Sequence, residues 1–237
     1  MKTVVVASQK GGSGKTTTAR NLAVAYGPGS ALIDTDPQGS LTSWWKRREA
    51  ETPILARVDG DMKKTLAGLK AAGLELVIID TPPSAHAFVA DVIALADLVL
   101  VPVRPTPDDL DAVGPTLDMV EESARNFCFV VNAARPKTRL VANTLPALAR
   151  HGKVSPAVIH ERVEFPTAAL DGRGVVETGD GAAAAEIRRA DERFSAASGQ
   201  VLALSQLSVR GQYRRHAGSA GAGEPAADCS GDTARRG

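Results

Sequence analysis

A short β-branched run, Thr3-Val4-Val5-Val6-Ala7, leads directly into Ser8-Gln9-Lys10-Gly11-Gly12-Ser13-Gly14-Lys15-Thr16-Thr17. A helical pattern follows through Tyr26, with Ala19, Leu22, Ala23 and Tyr26 on one face. A strand, a glycine-rich turn ending in Gly-Lys-Thr and a helix, in that order, make a phosphate loop. The glycines let backbone N–H groups turn inward around phosphate oxygens, and the helix start adds the positive end of its dipole. Lys15 is placed to reach β- and γ-phosphates, and the Thr16 hydroxyl to ligate Mg²⁺. Gly11, Gly12, Ser13, Gly14 and Thr17 complete the cradle. A ligand-free turn would need neither the lysine nor the threonine after its last glycine.

Apolar runs alternate with helical patterns along the rest of the chain. Ala31-Leu32-Ile33 ends at Asp34, Leu76-Val77-Ile78-Ile79 ends at Asp80, and Leu98 to Val103 and Phe127 to Val131 are two more. Ile54 to Val58 reads as a further strand, and Met62, Leu66 and Leu69 mark a helix that stops near Gly73. Runs without polar alternation are strands covered on both faces. They predict a doubly wound α/β domain, a mostly parallel sheet with helices on both faces. Ala183 to Leu207 carries Ile187, Phe194, Val201 and Leu204 on one stripe and reads as the last helix, which places the domain at 1–207. The remainder, 208–237, is rich in Gly, Ala and Arg with little large and apolar to bury, so a disordered tail is expected.

Ligands of such sheets bind at the carboxyl ends of the strands. Asp34-Thr35-Asp36-Pro37-Gln38-Gly39 and Asp80-Thr81-Pro82-Pro83-Ser84 both emerge there. An apolar strand ending in aspartate suits a carboxylate that holds Mg²⁺ through water, as Asp80 would with the Thr16 hydroxyl; Asp36, in the turn two residues past the strand-ending Asp34, completes the expected metal set. Aspartate after a strand is also ordinary turn chemistry. The phosphate loop beside it is what gives each aspartate its meaning.

The loop departs from the general template, because Gln9 stands where that template has glycine and Lys10 precedes Gly11. Lys-Gly-Gly-x-Gly-Lys-Thr is similar to the phosphate loop of the ParA/MinD superfamily. Residues 1 to about 205 resemble the ParA family of DNA-partitioning ATPases in particular. The segments Ala96 to Pro107 and Ile159 to Glu177, then Asp180-Gly181-Ala182, carry that likeness beyond the loop. The resemblance implies a P-loop NTPase that binds ATP with Mg²⁺ and works as a weak ATPase and molecular switch. It implies that Lys10 reaches across a nucleotide-sandwich homodimer, so that Lys10, Lys15 and Asp36 are catalytic, with Asp36 positioning the attacking water. Asp34 would support the phosphate loop, Asp80 would be the Walker B carboxylate, and Pro82-Pro83 the switch II turn. The ATP-bound dimer would bind DNA without sequence preference in the bacterial cytoplasm, at the nucleoid, and a ParB-like partner would stimulate hydrolysis. The likeness is to the short form of the family, so no N-terminal helix-turn-helix is expected. Arg162 and Arg173 fall in the region of the family's DNA-contacting basic residues, and Arg188 and Arg189 extend the basic set. The short link Gly27-Pro28-Gly29-Ser30 and the tail after Leu207 depart from the family pattern.

The net charge of +1 offers no bulk attraction to nucleic acid, so any DNA surface must be a local patch. Arg188, Arg189 and Arg193 are interleaved with Glu186, Asp191 and Glu192, which equally describes a solvated helix face with ion pairs. Trp44-Trp45 before Lys46-Arg47-Arg48 reads as an amphipathic helix burying one tryptophan rather than as a nucleic-acid patch. Asn132 fits an adenine contact and a turn residue equally. Cys128 and Cys229 do not suit an iron–sulfur cluster, and Cys128 reads as a buried thiol in a reducing cytosol. The four histidines share no metal-ligand spacing. A membrane-recruited MinD-type ATPase would need an apolar, basic amphipathic C-terminal helix, which the tail lacks, so no membrane partner is expected. A DNA-transfer ATPase of the same superfamily fits the residues as well as a partition protein does.

Overall fold

Strands form where the apolar runs predict them: β1 (Lys2–Val6), β2 (Ser30–Asp34), β3 (Ile54–Ala56), β4 (Leu76–Asp80), β5 (Leu98–Val103) and β6 (Phe127–Val131). The computed structural model describes residues 1–83, 86–136 and 138–191. Within them the strands make one six-stranded sheet in the order β3-β2-β4-β1-β5-β6, with every neighbouring pair parallel. The helices are α1 (Lys15–Tyr26), α2 (Ser40–Lys46), α3 (Met62–Ala71), α4 (His86–Ile93), α5 (Pro107–Asp111), α6 (Gly114–Ser123), α7 (Leu140–Ala149) and α8 (Glu164–Leu170). A 3-10 turn at Val175–Glu177 and a helix followed over 182–191, α9, complete the described chain.

Side chains alternate across each strand, so one sequence run feeds two cores. Val4, Val6, Leu32, Ile78 and Leu100 face α1, α2, α8 and α9 through Ala19, Leu22, Leu41, Trp44, Phe165 and Ile187. Val5, Ile33, Val77, Ile79, Val99 and Val101 face α4, α6 and α7 through Val89, Ile93, Leu117, Val120 and Leu148. Burial of each such side chain contributes about 1.5–3 kcal/mol. That is why the middles of the strands are apolar and polar residues stand at their ends, Lys2, Thr3 and Ser30 at the start and Asp34 and Asp80 at the finish.

The register then fixes the site. Val6 and Asp34 both lie opposite Asp80, so the ends of β1, β2 and β4 form one row beneath the glycine-rich loop. Two expectations change. The strand expected over 54–58 stops at Ala56, because β3 is an edge strand paired only to Ala31–Ile33 of β2, which turns into the site loop at Asp34. The helix expected from Ala183 begins by 182 and is followed to 191. Phe194, Val201, Leu204 and the segment 208–237 lie outside the described residues. Trp44 is fully buried and donates its Nε1 hydrogen to the Arg173 carbonyl at 3.2 Å, while Trp45 is half-buried and donates to Pro53. No helix among the described residues is long and apolar enough to cross a membrane.

Candidate nucleotide site

Gly14 ends the loop with φ 96°, a left-handed backbone that glycine adopts without strain, and α1 starts at the next residue. No side chain caps α1, and no acidic residue stands in its first turn. The N–H groups of that turn are therefore presented to an external anion. Lys15 is buried, and its Nζ donates to the Ser8 carbonyl at 3.0 Å and to the Lys10 carbonyl at 3.4 Å. Burial lowers its pKa, outweighing the nearby charges of Asp80 and Asp36, which act to raise it. A buried ammonium gains when a polyanion arrives, because the ligand supplies opposite charge that offsets the loss of water.

The Thr16 hydroxyl donates to Asp80 Oδ2 at 2.6 Å. The other carboxylate oxygen, Asp80 Oδ1, is buried and has no hydrogen-bond partner. Burial pushes the Asp80 carboxyl up to about 7; the Thr16 hydrogen bond opposes the rise and the charge of Asp34 adds to it. A buried carboxylate with an orphan oxygen beside a threonine hydroxyl is a hard-oxygen set that fits Mg²⁺. No cluster of three or more His, Cys, Asp or Glu suited to a metal occurs among the described residues.

Asp36 is half-buried, and its Oδ1 accepts from the Gln38 N–H at 2.9 Å, which shapes the turn leading into α2. Asp34 makes its hydrogen bonds within its own segment. Its carboxylate accepts from the Asp36 N–H at 3.2 Å and from the Thr42 N–H and hydroxyl at 2.7 and 2.8 Å. A short strand-end carboxylate reaches the turn that follows it more readily than a loop on another strand. Thr35 ties the same segment to β4 by donating its hydroxyl hydrogen to the Asp80 carbonyl, and Thr81 ties the segment after β4 to β1 by donating to the Val6 carbonyl. Pro82 is buried immediately beyond.

The loop is braced from outside by residues whose part the sequence left open or hid. Asn132, at the end of β6, donates from Nδ2 to the Ser13 carbonyl at 2.9 Å, so it contacts the loop backbone rather than serving as a turn residue. The Gln9 N–H donates to the Thr116 hydroxyl at 3.1 Å, and its side chain to the Pro115 carbonyl at 3.3 Å, which docks the residue before Lys10 onto α6. Lys10 itself is half-exposed. Arg48 packs 5.5 Å from the Trp44 ring and binds the Gly172 carbonyl and the Glu177 carboxylate, while Arg47 binds the Ala169 carbonyl. These two arginines lock α2 to the 164–177 segment. Nothing in their spacing separates them from a solvated helix end.

The four candidate DNA arginines do not form one set. Arg162 donates to Glu186 Oε1 at 2.7 Å, and the His160 N–H donates to the other oxygen at 3.0 Å. Glu186 is only 2% exposed, which corrects its placing on a solvated face. Burial acts to raise its pKa, but the bonds from Arg162 and His160 outweigh burial and hold it below the ordinary value. Arg188 pairs with Asp180 at 2.7 Å. Arg173 and Arg189 are exposed.

A model of the CobQ/CobB/MinD/ParA nucleotide binding domain matches residues 4–175. The chain is 30% identical over 190 residues to the maintenance of carboxysome distribution protein A of Halothiobacillus neapolitanus, covering 75% of this chain and 88% of that protein. It is 35% identical over 127 residues to protein ParA of Rhizobium radiobacter, covering 52% of this chain and 57% of that one. Among solved structures, apo McdA of Cyanthece has the same fold, with a TM-score of 0.70 at 19% identity, covering 82% of this chain and 99% of that one. With a glycine-rich loop at the end of β1, a lysine inside it and a threonine–aspartate pair beside it, this chain belongs to the CobQ/CobB/MinD/ParA family of nucleotide-binding domains.

Proposed function

We propose that this protein is an ATP-driven molecular switch that partitions or positions a bacterial cargo on the nucleoid, cycling between an ATP-bound homodimer and a monomer. The observation that carries the reading is the pair of lysines in one loop. Lys15 is turned inward onto the loop carbonyls, whereas Lys10, on the neighbouring turn, stays half-exposed. The inward lysine serves the chain's own nucleotide. The outward one is available to the phosphates of a second copy facing it, so each site is complete only in the dimer.

In this reading the first-turn N–H groups of α1 and the glycine-rich loop bind the phosphates, and Lys15 steadies the β- and γ-groups. Thr16 and Asp80 would hold Mg²⁺, with Asp36 contributing through water; the ion supplies neutralisation of phosphate charge. Asp36 orients the water that attacks the γ-phosphorus as the bond to the bridging oxygen breaks. Arg173 and Arg189, doubled by dimerisation, contact DNA phosphates. A ParB-like adaptor bound to the cargo stimulates hydrolysis and releases the dimer. The relatives' names support two cargo classes, the chromosome and the carboxysome. A DNA-transfer ATPase would use the same site residues on a different cargo.

The test is a gel shift on unrelated DNA fragments with ATP and with ADP at several salt concentrations. The expected result is ATP-dependent, sequence-independent binding that weakens steeply with salt. Identical shifts with both nucleotides, or none with either, would overturn the switch.

A further inference from the structure

Asn132 is 4% exposed at the end of β6 and stands against the outside of the phosphate loop. Its backbone N–H is bonded to the Val103 carbonyl at 2.9 Å, so this side chain is mounted on the sheet. The bond from its Nδ2 to the Ser13 carbonyl is buried and joins residues 119 apart in sequence. The approach is close: a Cβ on Gly14 would lie 1.8 Å from Asn132 Nδ2. Gly14 is thus required twice, for its φ of 96° and for the room that Asn132 takes.

We propose that Asn132 is a positioning residue of the nucleotide site, setting the orientation of the Ser13–Gly14 peptide and so aiming the Gly14 N–H into the phosphate cradle. Ser13–Gly14 is a trans peptide, in which the carbonyl and the N–H point in opposite directions. Holding the Ser13 oxygen outward toward β6 turns the Gly14 N–H inward. Without the amide, the Ser13 carbonyl becomes a buried acceptor lacking its partner, and glycine at 14 is free enough for the peptide to rotate. A rotated peptide would present the negative end of a carbonyl dipole to the phosphates. The inference rests on the reading of the loop as an ATP site. It differs from an adenine contact in which half of the nucleotide feels the change.

The experiment compares wild type, Asn132→Ala and Asn132→Asp in their affinity for ATP, measured directly, and for inorganic tripolyphosphate, measured by displacement of a fluorescent ADP. Asn132→Asp keeps the shape, removes the donor and sets a negative charge against the carbonyl, so it carries the test if Asn132→Ala does not fold. The expected result is a loss of at least about tenfold for ATP, equivalent to about 1.4 kcal/mol. The same fold-loss is expected for tripolyphosphate, with circular dichroism unchanged. Loss for ATP alone, with tripolyphosphate binding intact, would assign Asn132 to the base and overturn the proposal. Unchanged affinity for both ligands in folded variants would overturn it as well. Wild type that binds neither ligand would instead overturn the nucleotide site on which it rests.

Discussion

Thr16 and Asp80 meet through a 2.6 Å hydrogen bond that joins the first turn of α1 to the last residue of β4. The pairing follows from register, since Asp80 lies opposite Val6 and the loop returns over the end of β1. With its Oδ1 buried and unpartnered, the carboxylate is held at a greater cost than a neutral amide would incur. Asp80→Asn is expected to lower Mg²⁺-dependent ATP hydrolysis by about 100-fold or more, given what one charged group contributes to such a transition state. The melting temperature of the nucleotide-free protein should not fall. A melting scan alongside a phosphate-release assay checks both halves.

Lys15 and Asp36 are expected to separate binding from turnover. Lys15→Ala removes a cation from the phosphates, worth about 1.5–3 kcal/mol, so ATP affinity should drop by roughly 10- to 100-fold. Asp36→Ala should retain ATP affinity, turn over about 100-fold more slowly, and accumulate as dimer in size-exclusion chromatography with ATP. Equal ATP affinity in wild type and Lys15→Ala would remove the phosphate-loop assignment. Wild-type turnover in Asp36→Ala would move the water-positioning role elsewhere.

Glu186 gives a pH signature. Arg162 and His160 are its partners, and together they hold its folded pKa below the ordinary value. A depressed carboxylate stabilises the fold fully above the unfolded pKa of about 4.3, and the contribution fades as pH falls through the folded value. Glu186→Gln should therefore cost about 2 kcal/mol at neutral pH, with the gap from wild type narrowing below about pH 4. Denaturant melts at several pH values read this directly, and a gap independent of pH would show that the charge on Glu186 is immaterial.

The arginines predict different phenotypes. Arg173→Ala and Arg189→Ala should weaken ATP-dependent DNA binding and reduce its salt slope by about 1 per contact removed. Arg162→Ala should instead lower the melting temperature, since it strips a buried carboxylate of its main cation. Parallel gel shifts and melts of the three variants decide the matter. An unchanged melting temperature with lost DNA binding in Arg162→Ala would return it to the DNA surface.

Much of the fold was legible because its signals are local. Strands buried on both faces read as unbroken apolar runs, and Gly11 to Thr16 states a phosphate loop by residue type and order alone. The Trp44-Trp45 pair announced one buried ring for the same reason. Arg48, Arg162 and Glu186 were not legible, since a charged side chain looks the same in sequence whether it faces water or bonds a carbonyl of another segment.

By itself, then, the sequence determined the class of ligand, the parallel sheet and the identity of the residues at the strand ends. Those properties depend on near neighbours and on periodicity. Tertiary structure alone decided that Asp34 serves its own turn, that Asn132 braces Ser13, and that Glu186 is an internal anchor. Each depends on which segments, far apart in the chain, the strand order and crossovers bring within about 3 Å, the reach of a hydrogen bond.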